Sequence, residues 1–251
     1  AQLPEVAVMV VGSAQSGAQI TEELLEAGRT VYLSTSKVGR FRRHIRGKDV
    51  LEWVIGAGMM KQTPADLENP AEQYATQPLA SGVGGGRTIS LQSIAAKGAN
   101  LIGRVEDFEN TTAIIKDDLR ENIDFADGFS AHVIEMLNPA IDKMAPGTPP
   151  LEDEPADDPA PTDLGANTPT RLDLDEAGIT SIIWTTGFTG DYSWLNIEGH
   201  SMEHGRPVQT NGASPAKGVY YLGSPWLRTR ASGIIYGADT DAQAITQQIN
   251  A

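Results

Sequence analysis

The sequence contains no cysteine. That excludes a disulfide framework, a Cys-ligated zinc or iron–sulfur centre and a redox dithiol, and it suits the cytoplasm. Long hydrophobic runs are also missing. None approaches the roughly 18 residues needed to span a bilayer, and no signal-peptide pattern is present. Basic residues are scarce: 19 Lys and Arg stand against 33 Asp and Glu, for a formal net charge of −14. So acidic a chain argues against a general nucleic-acid binder, which needs clustered cations to meet phosphates. The first residue is Ala rather than Met, so the chain is expected to be processed, truncated or one piece of a longer protein.

What is present is a globular composition, with 40% hydrophobic residues in 251. That length suits one large domain or two small ones. Val6 to Val11 form an almost unbroken apolar run, as expected of a strand buried on both faces of a parallel sheet. Gly12-Ser13-Ala14-Gln15-Ser16-Gly17 follows at once, then Ile20, Leu24 and Leu25 at helical spacing, with Gly28 as a stop and Thr30 to Leu33 as a second strand. Strand, tight turn, helix and strand make a βαβ unit of about 30 residues. The six-residue turn fits the dinucleotide fingerprint with Ala14 in place of its middle glycine. Gly12 permits the tight turn, Gly17 permits close helix–strand packing, and the helix N-terminus offers N–H groups and a positive dipole end to a pyrophosphate. A purely structural βα turn is the competing reading.

The next segment bears on which dinucleotide is bound. An NAD-selective site places an acid about 20 residues past the turn, on the ribose 2′-hydroxyl. Ala27 to Lys48 contains no acid and seven bases: Arg29, Lys37, Arg40, Arg42, Arg43, Arg46 and Lys48. A 2′-phosphate wants guanidinium forks, for which Arg40 and Arg42 are candidates, and hydroxyl donors such as Ser34, Thr35 and Ser36. NADPH is favoured. A solvated basic surface or a docking patch for an acidic partner remain alternatives.

Further on, Asp49 to Ile55 reads as a helix, Gly82 to Gly86 as a glycine-rich turn, and Asn100 to Phe108 with Thr112 to Ile115 as a hairpin. Asp117 is placed to cap a long helix to about Met144, with Leu119, Ile123, Ala126, Phe129, Val133 and Leu137 on one face. Pro146 to Pro169 holds seven of the fifteen prolines, and Glu152 to Asp163 carries six acids and no base. The composition predicts an extended, solvated linker rather than an acidic interaction tail. Ile179 to Thr185 and Gly218 to Leu222 read as strands. A closing helix from about Gly233 is expected to turn Ile234, Ala238, Ala242, Ile245 and Ile249 inward. His200-Ser201-Met202-Glu203-His204 spells an inverted zinc-protease pattern, but it lies between Gly199 and Gly205-Arg206-Pro207, where a hairpin or loop is expected instead of the helix that would converge both histidines on a metal. No metal site and no paired-carboxylate or Ser–His–Asp constellation is assigned.

Three stretches together resemble the C-terminal part of class B flavin-dependent monooxygenases, specifically bacterial flavin-containing monooxygenase-like proteins. VVGSAQSGAQITEELLEAGRTVYLSTSKVGRFRRHIRGKDVLEW resembles the opening of the family's NADP domain. TTGFTGDYSWLN resembles its ATGF/ATGY signature, where the chain crosses back to the FAD domain, with Thr185 in place of the usual Ala. GVYYLGSPWLRTRASGIIYGADTDAQAI resembles the closing strand–turn–helix beside the flavin, with Ser224 after Gly223 where many relatives place Asp.

The resemblance implies an α/β two-dinucleotide-binding-domain flavoprotein. Residues 1–145 would form a Rossmann-like NADP(H)-binding domain with a helical insertion. Residues 146–178 would be the acidic linker and return segment, and 179–251 the crossover and C-terminal part of the FAD-binding domain. It implies FAD and NADPH as cofactors, with O2 and a small organic substrate reacting through a C4a-(hydro)peroxyflavin. The cofactors then carry the chemistry and no side chain is assigned a catalytic role. Thr186, Gly187 and Phe188 would line the crossover. Gly223, Trp226, Arg228, Arg230, Ser232 and Gly233 would approach the flavin, although ordinary packing is an equal reading for Trp226. The family's N-terminal FAD-binding GxGxxG segment is missing, so a partner chain or fragment of roughly 150–180 residues, domain-sized, is expected to supply it. A non-catalytic NADP-binding or assembly subunit and an NADPH:flavin reductase component are the alternatives.

Overall fold

The structure, a computed structural model, describes residues 6–250. The chain divides into two units. One is formed by the chain up to Trp53 together with Thr76–Thr186, the other by Val54–Ala75 together with the chain from Gly187 onward.

The first unit is built on strand β1 (Ala7–Val11), whose five residues are all buried. It pairs in parallel with β2 (Val31–Ser34) on one side and with β9 (Ile179–Trp184) on the other. Strand β5 (Asn100–Ile102) adds beyond β2, giving a parallel sheet of order β5-β2-β1-β9. The order and the intervening helices make a mixed α/β unit compatible with a Rossmann-like fold. Side chains of β1 alternate between two cores. Val8 and Val10 pack with Ala18 and Leu24 of helix α1 (Gln15–Glu26), Ile94 of α3 (Leu91–Ala96), and Leu119 and Ile123 of α4 (Leu119–Met144). Ala7, Met9 and Val11 pack instead with Ala113 and Ile115. These belong to an antiparallel sheet of β6 (Val105–Glu109), β7 (Thr112–Ile115) and β8 (Arg171–Asp173). Each such buried aliphatic side chain contributes roughly 1.5–3 kcal/mol, and covering both faces explains why the strand has no polar side. A small hairpin of β3 (His44–Ile45) and β4 (Lys48–Asp49) precedes α2 (Val50–Gly56).

Several expectations are corrected. The stretch from Asn100 is not one hairpin arm: its first three residues form the parallel edge strand, and the hairpin begins at Val105. The cap position of α4 is Asp118 rather than Asp117. Its carboxylate makes no cap bond, and accepts instead from the Arg104 N–H at 2.9 Å and the Asn122 amide at 3.2 Å.

The largest difference concerns the acidic Pro-rich segment: most of its residues are exposed, as expected, but it is anchored to the first unit rather than running free as a linker. Glu152 accepts hydrogen bonds from the backbone N–H groups of Arg46 (2.8 Å) and Gly47, and Asp157 bonds Arg40. Ala160 is buried in the core, with Leu164 packed against it. Acids that look unpartnered in isolation find their donors more than 100 residues earlier, the Arg40 guanidinium for Asp157 and backbone N–H groups for Glu152, a pairing that no local pattern encodes. Strand β9 also belongs to the first unit's sheet, so the chain passes to the second unit after it, between Thr186 and Gly187.

The second unit carries little regular structure. Short 3-10 turns at Met59–Lys61, Pro64–Asp66 and Pro70–Tyr74 are followed much later by a hairpin of β10 (Met202–Glu203) and β11 (Arg206–Pro207), and by α5 (Ile235–Ile249). The strand expected at Gly218 to Leu222 is reduced to an isolated bridge between Ala213 and Tyr220. Helix α5 turns Gly237, Asp241 and Ile245 inward; Ile245 is buried as expected and Ala238 and Ala242 are half-buried, but Ile234 and Ile249, expected inward, are exposed, as are Ile235 and Tyr236. The reason is steric: a Cβ at Gly237 would lie 2.2 Å from the Ala231 carbonyl oxygen, so the backbone itself packs there. Among the described residues no helix is long and apolar enough to cross a membrane.

Candidate functional site

The dinucleotide-like turn lies at the C-terminal end of β1, where open α/β sheets bind ligands. Gly12 has φ +107°, a conformation that favours glycine. Gly17 is required for another reason: a Cβ there would sit 1.8 Å from the Gly12 carbonyl oxygen. The helix can therefore approach the strand end only with glycine at this position. Ala14 occupies the N-cap position and makes no side-chain cap bond, and the first intrahelical bond runs from the Ala18 N–H to the Ala14 carbonyl at 3.0 Å. The N–H groups of Gln15, Ser16 and Gly17 thus have no partner within the helix, at the positive end of its dipole.

The turn is tied to the segment after β2. The Gly12 N–H donates to the Ser34 carbonyl at 3.0 Å, and the Ser36 N–H donates to Ser13 Oγ, also at 3.0 Å. Fold and sequence therefore agree in bringing Gly12–Gly17 and Ser34–Ser36 together. The hydroxyls of Ser34 and Thr35 are directed inward, donating to the carbonyls of Gly103 (3.1 Å) and Ile102 (2.9 Å). Gln15 is turned to the 79–81 segment, where its Oε1 accepts from the Ala80 N–H at 3.0 Å. Ser36 and the exposed Lys37 remain at the rim, with Lys37 in a solvent-exposed pair with Glu121 at 2.6 Å.

Arg40 and Arg42, expected to meet a 2′-phosphate, are both buried and engaged with other groups of the first unit. Arg40 is only 2% exposed and is bound by Asp157 and by Asp127 Oδ1 at 2.7 Å. Arg42 donates to the carbonyls of His44 (3.0 Å) and Glu152. Arg43 and Arg46 are likewise paired, with Asp49 at 2.5 Å and Asp142 at 2.7 Å. The physical reason is the folded acidic segment: a buried guanidinium must be matched by carboxylates of its own unit. Partial burial would raise the Glu152 carboxyl, but backbone donors, those of Gly47 and Arg46 among them, hold it below the ordinary carboxylate range.

Helix α1 carries a second buried charge. Glu22, 2% exposed, receives both Arg87 nitrogens (2.5 and 2.7 Å) and Lys97 (2.6 Å). Burial alone would raise this carboxyl; the hydrogen bonds and charges of Arg87 and Lys97 outweigh it and lower it. The arrangement fixes the helix that presents the turn.

In the second unit the predicted residues fall into two groups. Gly187, Phe188, Gly223 and Gly233 are exposed, as is Thr186 at the end of the first unit. Trp226, Arg228, Arg230 and Ser232 are engaged within the unit. Trp226 is buried with φ +57°, and the Arg230 guanidinium stacks 4.7 Å from its ring centroid. Gln62 accepts from Arg230 Nε and a terminal nitrogen at 3.0 and 2.8 Å, and its carbonyl from the Arg230 N–H at 2.8 Å. Burial lowers the Arg230 guanidinium from its usual range. Ser232 Oγ accepts from the N–H groups of Arg228 and Thr229, each at 3.1 Å, and Arg228 donates to the Thr240 carbonyl at 3.0 Å. His200 precedes β10 and His204 lies in the turn between β10 and β11, with His200 Nδ1 2.9 Å from the Tyr221 hydroxyl.

Three contributors escaped sequence reasoning. Asp127 and Asp157 neutralise Arg40, and Gln62 braces Arg230; none of the three carries a local signal. Thr185 was legible only as a departure from Ala in the crossover signature. Its hydroxyl lies 2.8 Å from the Val11 carbonyl oxygen and 3.0 Å from that of Gly12.

No family model matches the chain, and no solved structure matches it. Over 254 aligned residues, 99% of this chain, it is 28% identical to a protein of Geobacillus kaustophilus (strain HTA426) named uncharacterized oxidoreductase CzcO-like, of which it covers 53%. A 72-residue stretch, 29% of this chain, is 39% identical to a protein of Bacillus subtilis (strain 168) named uncharacterized oxidoreductase CzcO, of which it covers 21%. The chain therefore spans about half the length of the first relative, and it is similar along nearly its whole length to a protein named as an oxidoreductase.

Proposed function

We propose that this chain supplies the NADPH site and part of the FAD site of a flavin-dependent monooxygenase that inserts one oxygen atom of O2 into a small organic substrate. The observation that carries the reading is the turn from Gly12 to Gly17 at the C-terminal end of β1, closed so tightly that a Cβ on Gly17 would lie 1.8 Å from the Gly12 carbonyl. The oxidoreductase names of the relatives support it.

The residues of the first unit fit a dinucleotide. The Gln15, Ser16 and Gly17 N–H groups would hold the pyrophosphate. Ser36 and Lys37 would meet the 2′-phosphate in place of the sequestered Arg40 and Arg42. The Lys37–Glu121 pair is solvent-exposed and worth little, so Lys37 is free to change partner. The second unit offers a partial fit to FAD: Gly187, Phe188, Gly223 and Gly233 present accessible backbone, and the Trp226–Arg230 stack stiffens the segment between the last two. When bound, NADPH supplies the hydride that reduces the flavin, and the reduced flavin supplies the reaction with O2. The contribution of this chain is to bind and orient the nucleotide and to form part of the wall that keeps water from the flavin.

The remainder of the FAD site is assigned to a segment carrying its own GxGxxG. The exposed Leu222, Ile234, Ile235 and Tyr236 of the second unit are apolar surface such a segment could cover, and the chain spans only 53% of its full-length relative. The experiment mixes the purified chain with FAD and NADPH and follows flavin absorbance under nitrogen. NADPH binding without flavin reduction above the free-flavin background is expected until that segment is added. A chain that alone holds FAD tightly and turns over contradicts the split site.

A further inference from the structure

Thr185 follows the last residue of β9, and its N–H continues the ladder by donating to the Val11 carbonyl at 2.9 Å. Its hydroxyl then reaches across the strand end. Oγ1 is 2.8 Å from the Val11 carbonyl oxygen and 3.0 Å from the Gly12 carbonyl oxygen, so one proton is shared between the two last carbonyls before the turn. The fit is close: a Cβ on Gly17 would come within 2.8 Å of this same Oγ1, and one on Gly12 within 2.9 Å. Thr185, Gly12 and Gly17 therefore form one three-way contact at the point where strand becomes helix.

A peptide unit is planar and trans, so fixing a carbonyl also fixes the N–H on the other side of the same plane. The Gly12 carbonyl faces Thr185 and the bare Cα of Gly17, and the Ser13 N–H of that unit must point the opposite way. A carbonyl that accepts a hydrogen bond also makes its own N–H a stronger donor, since hydrogen-bonded groups polarise one another. We propose that the Thr185 hydroxyl is a positioning group for the phosphate-binding turn, fixing and strengthening the Ser13 N–H as a further donor, beside those of Gln15, Ser16 and Gly17, to a dinucleotide's pyrophosphate. This rests on the dinucleotide reading of the turn and adds to it a residue from a distant strand.

The test compares Thr185→Val, which keeps the shape and loses the hydroxyl, with Thr185→Ser, which keeps the hydroxyl. Calorimetric titration uses NADP+, which has a pyrophosphate, and 2′-AMP, which has none. Thr185→Val should weaken NADP+ roughly five- to tenfold, the effect of about one hydrogen bond. It should leave 2′-AMP unchanged, and Thr185→Ser should restore NADP+ to within about twofold of wild type. Equal weakening of both probes would mean that Thr185 only supports the fold, and overturns the proposal. So does a Val variant that binds NADP+ like wild type, while leaving the dinucleotide reading intact. A wild-type chain that binds neither probe overturns that reading, and the role of Thr185 with it.

Discussion

Replacing Arg40 by Ala separates a structural arginine from a phosphate-binding one. Arg40 is 2% exposed, and its guanidinium joins Asp127 of α4 to Asp157 of the acidic segment. Removing one partner of a buried ion pair typically costs about 3–5 kcal/mol, because the charge left behind has lost its solvent and its counterion. Two carboxylates are left here, but neither is stripped of partners. Asp127 keeps Gln92 at 3.0 Å and the Ala160 N–H at 3.1 Å; Asp157 keeps the Ser130 hydroxyl at 2.7 Å and Arg42 at 3.7 Å. Arg40 Nε is itself buried without a partner among the described residues, a cost that the substitution relieves. A loss near the lower end, about 3 kcal/mol, follows. Urea unfolding should record it as a lower midpoint, and limited proteolysis should cut first between Gly147 and Asp163, where the segment has lost its anchor. NADP+ affinity at a temperature where the variant is folded should change less than about threefold, below 1 kcal/mol. Unchanged stability with a large loss of NADP+ affinity would refute the reasoning and return Arg40 to the phosphate.

Two further outcomes follow from the charges around the turn. Glu22 has a carboxyl lowered by Arg87 and Lys97 against its burial. A lowered carboxyl stabilises the fold above its unfolded value, roughly 4.3, and that contribution is lost as pH falls through the folded value. Glu22→Gln should therefore cost about 1–3 kcal/mol at pH 7, a penalty that shrinks in urea titrations as the pH falls below the ordinary carboxylate range and through the lowered folded value; a pH-independent penalty would contradict the ion-pair account. Lys37→Glu should weaken NADP+ by roughly 1.5–3 kcal/mol, the worth of a hydrogen bond to a charged group, and leave NAD+ nearly unchanged by calorimetry. Equal loss for the two nucleotides would remove Lys37 from the 2′-phosphate.

The parts of this molecule that were readable in the sequence are those set by neighbours along the chain. An apolar run, two glycines five positions apart and a helical stripe are enough to specify β1, the turn and α1, because these signals stand side by side in the chain. The edge strand at Asn100–Ile102 was hidden by its length, three residues running close to a true hairpin. The acidic segment was misjudged because its partners, Arg40 and the Arg46–Gly47 backbone, lie more than 100 residues away. The same long-range pairing withdrew Arg40 and Arg42 from the site that their local charge suggested. In α5 the inward stripe is set by Gly237 against the Ala231 carbonyl, a backbone contact that hydrophobic periodicity does not register. Thr185 illustrates the opposite case: one unusual residue in a recognisable signature marked a contact that only the fold could explain.

The central claim is that the turn from Gly12 to Gly17 binds a pyrophosphate because glycine lets α1 close on β1. Its most direct test is calorimetric titration of NADP+ into wild type and Gly17→Val, with far-ultraviolet circular dichroism on both. A Cβ at residue 17 would lie 1.8 Å from the Gly12 carbonyl, so the helix must shift away from the turn, an overpacking cost of typically 1–3 kcal/mol that leaves the chain folded. Saturable binding by wild type, and none by the folded variant, is the predicted result. Equal binding by both, or none by wild type, would contradict it.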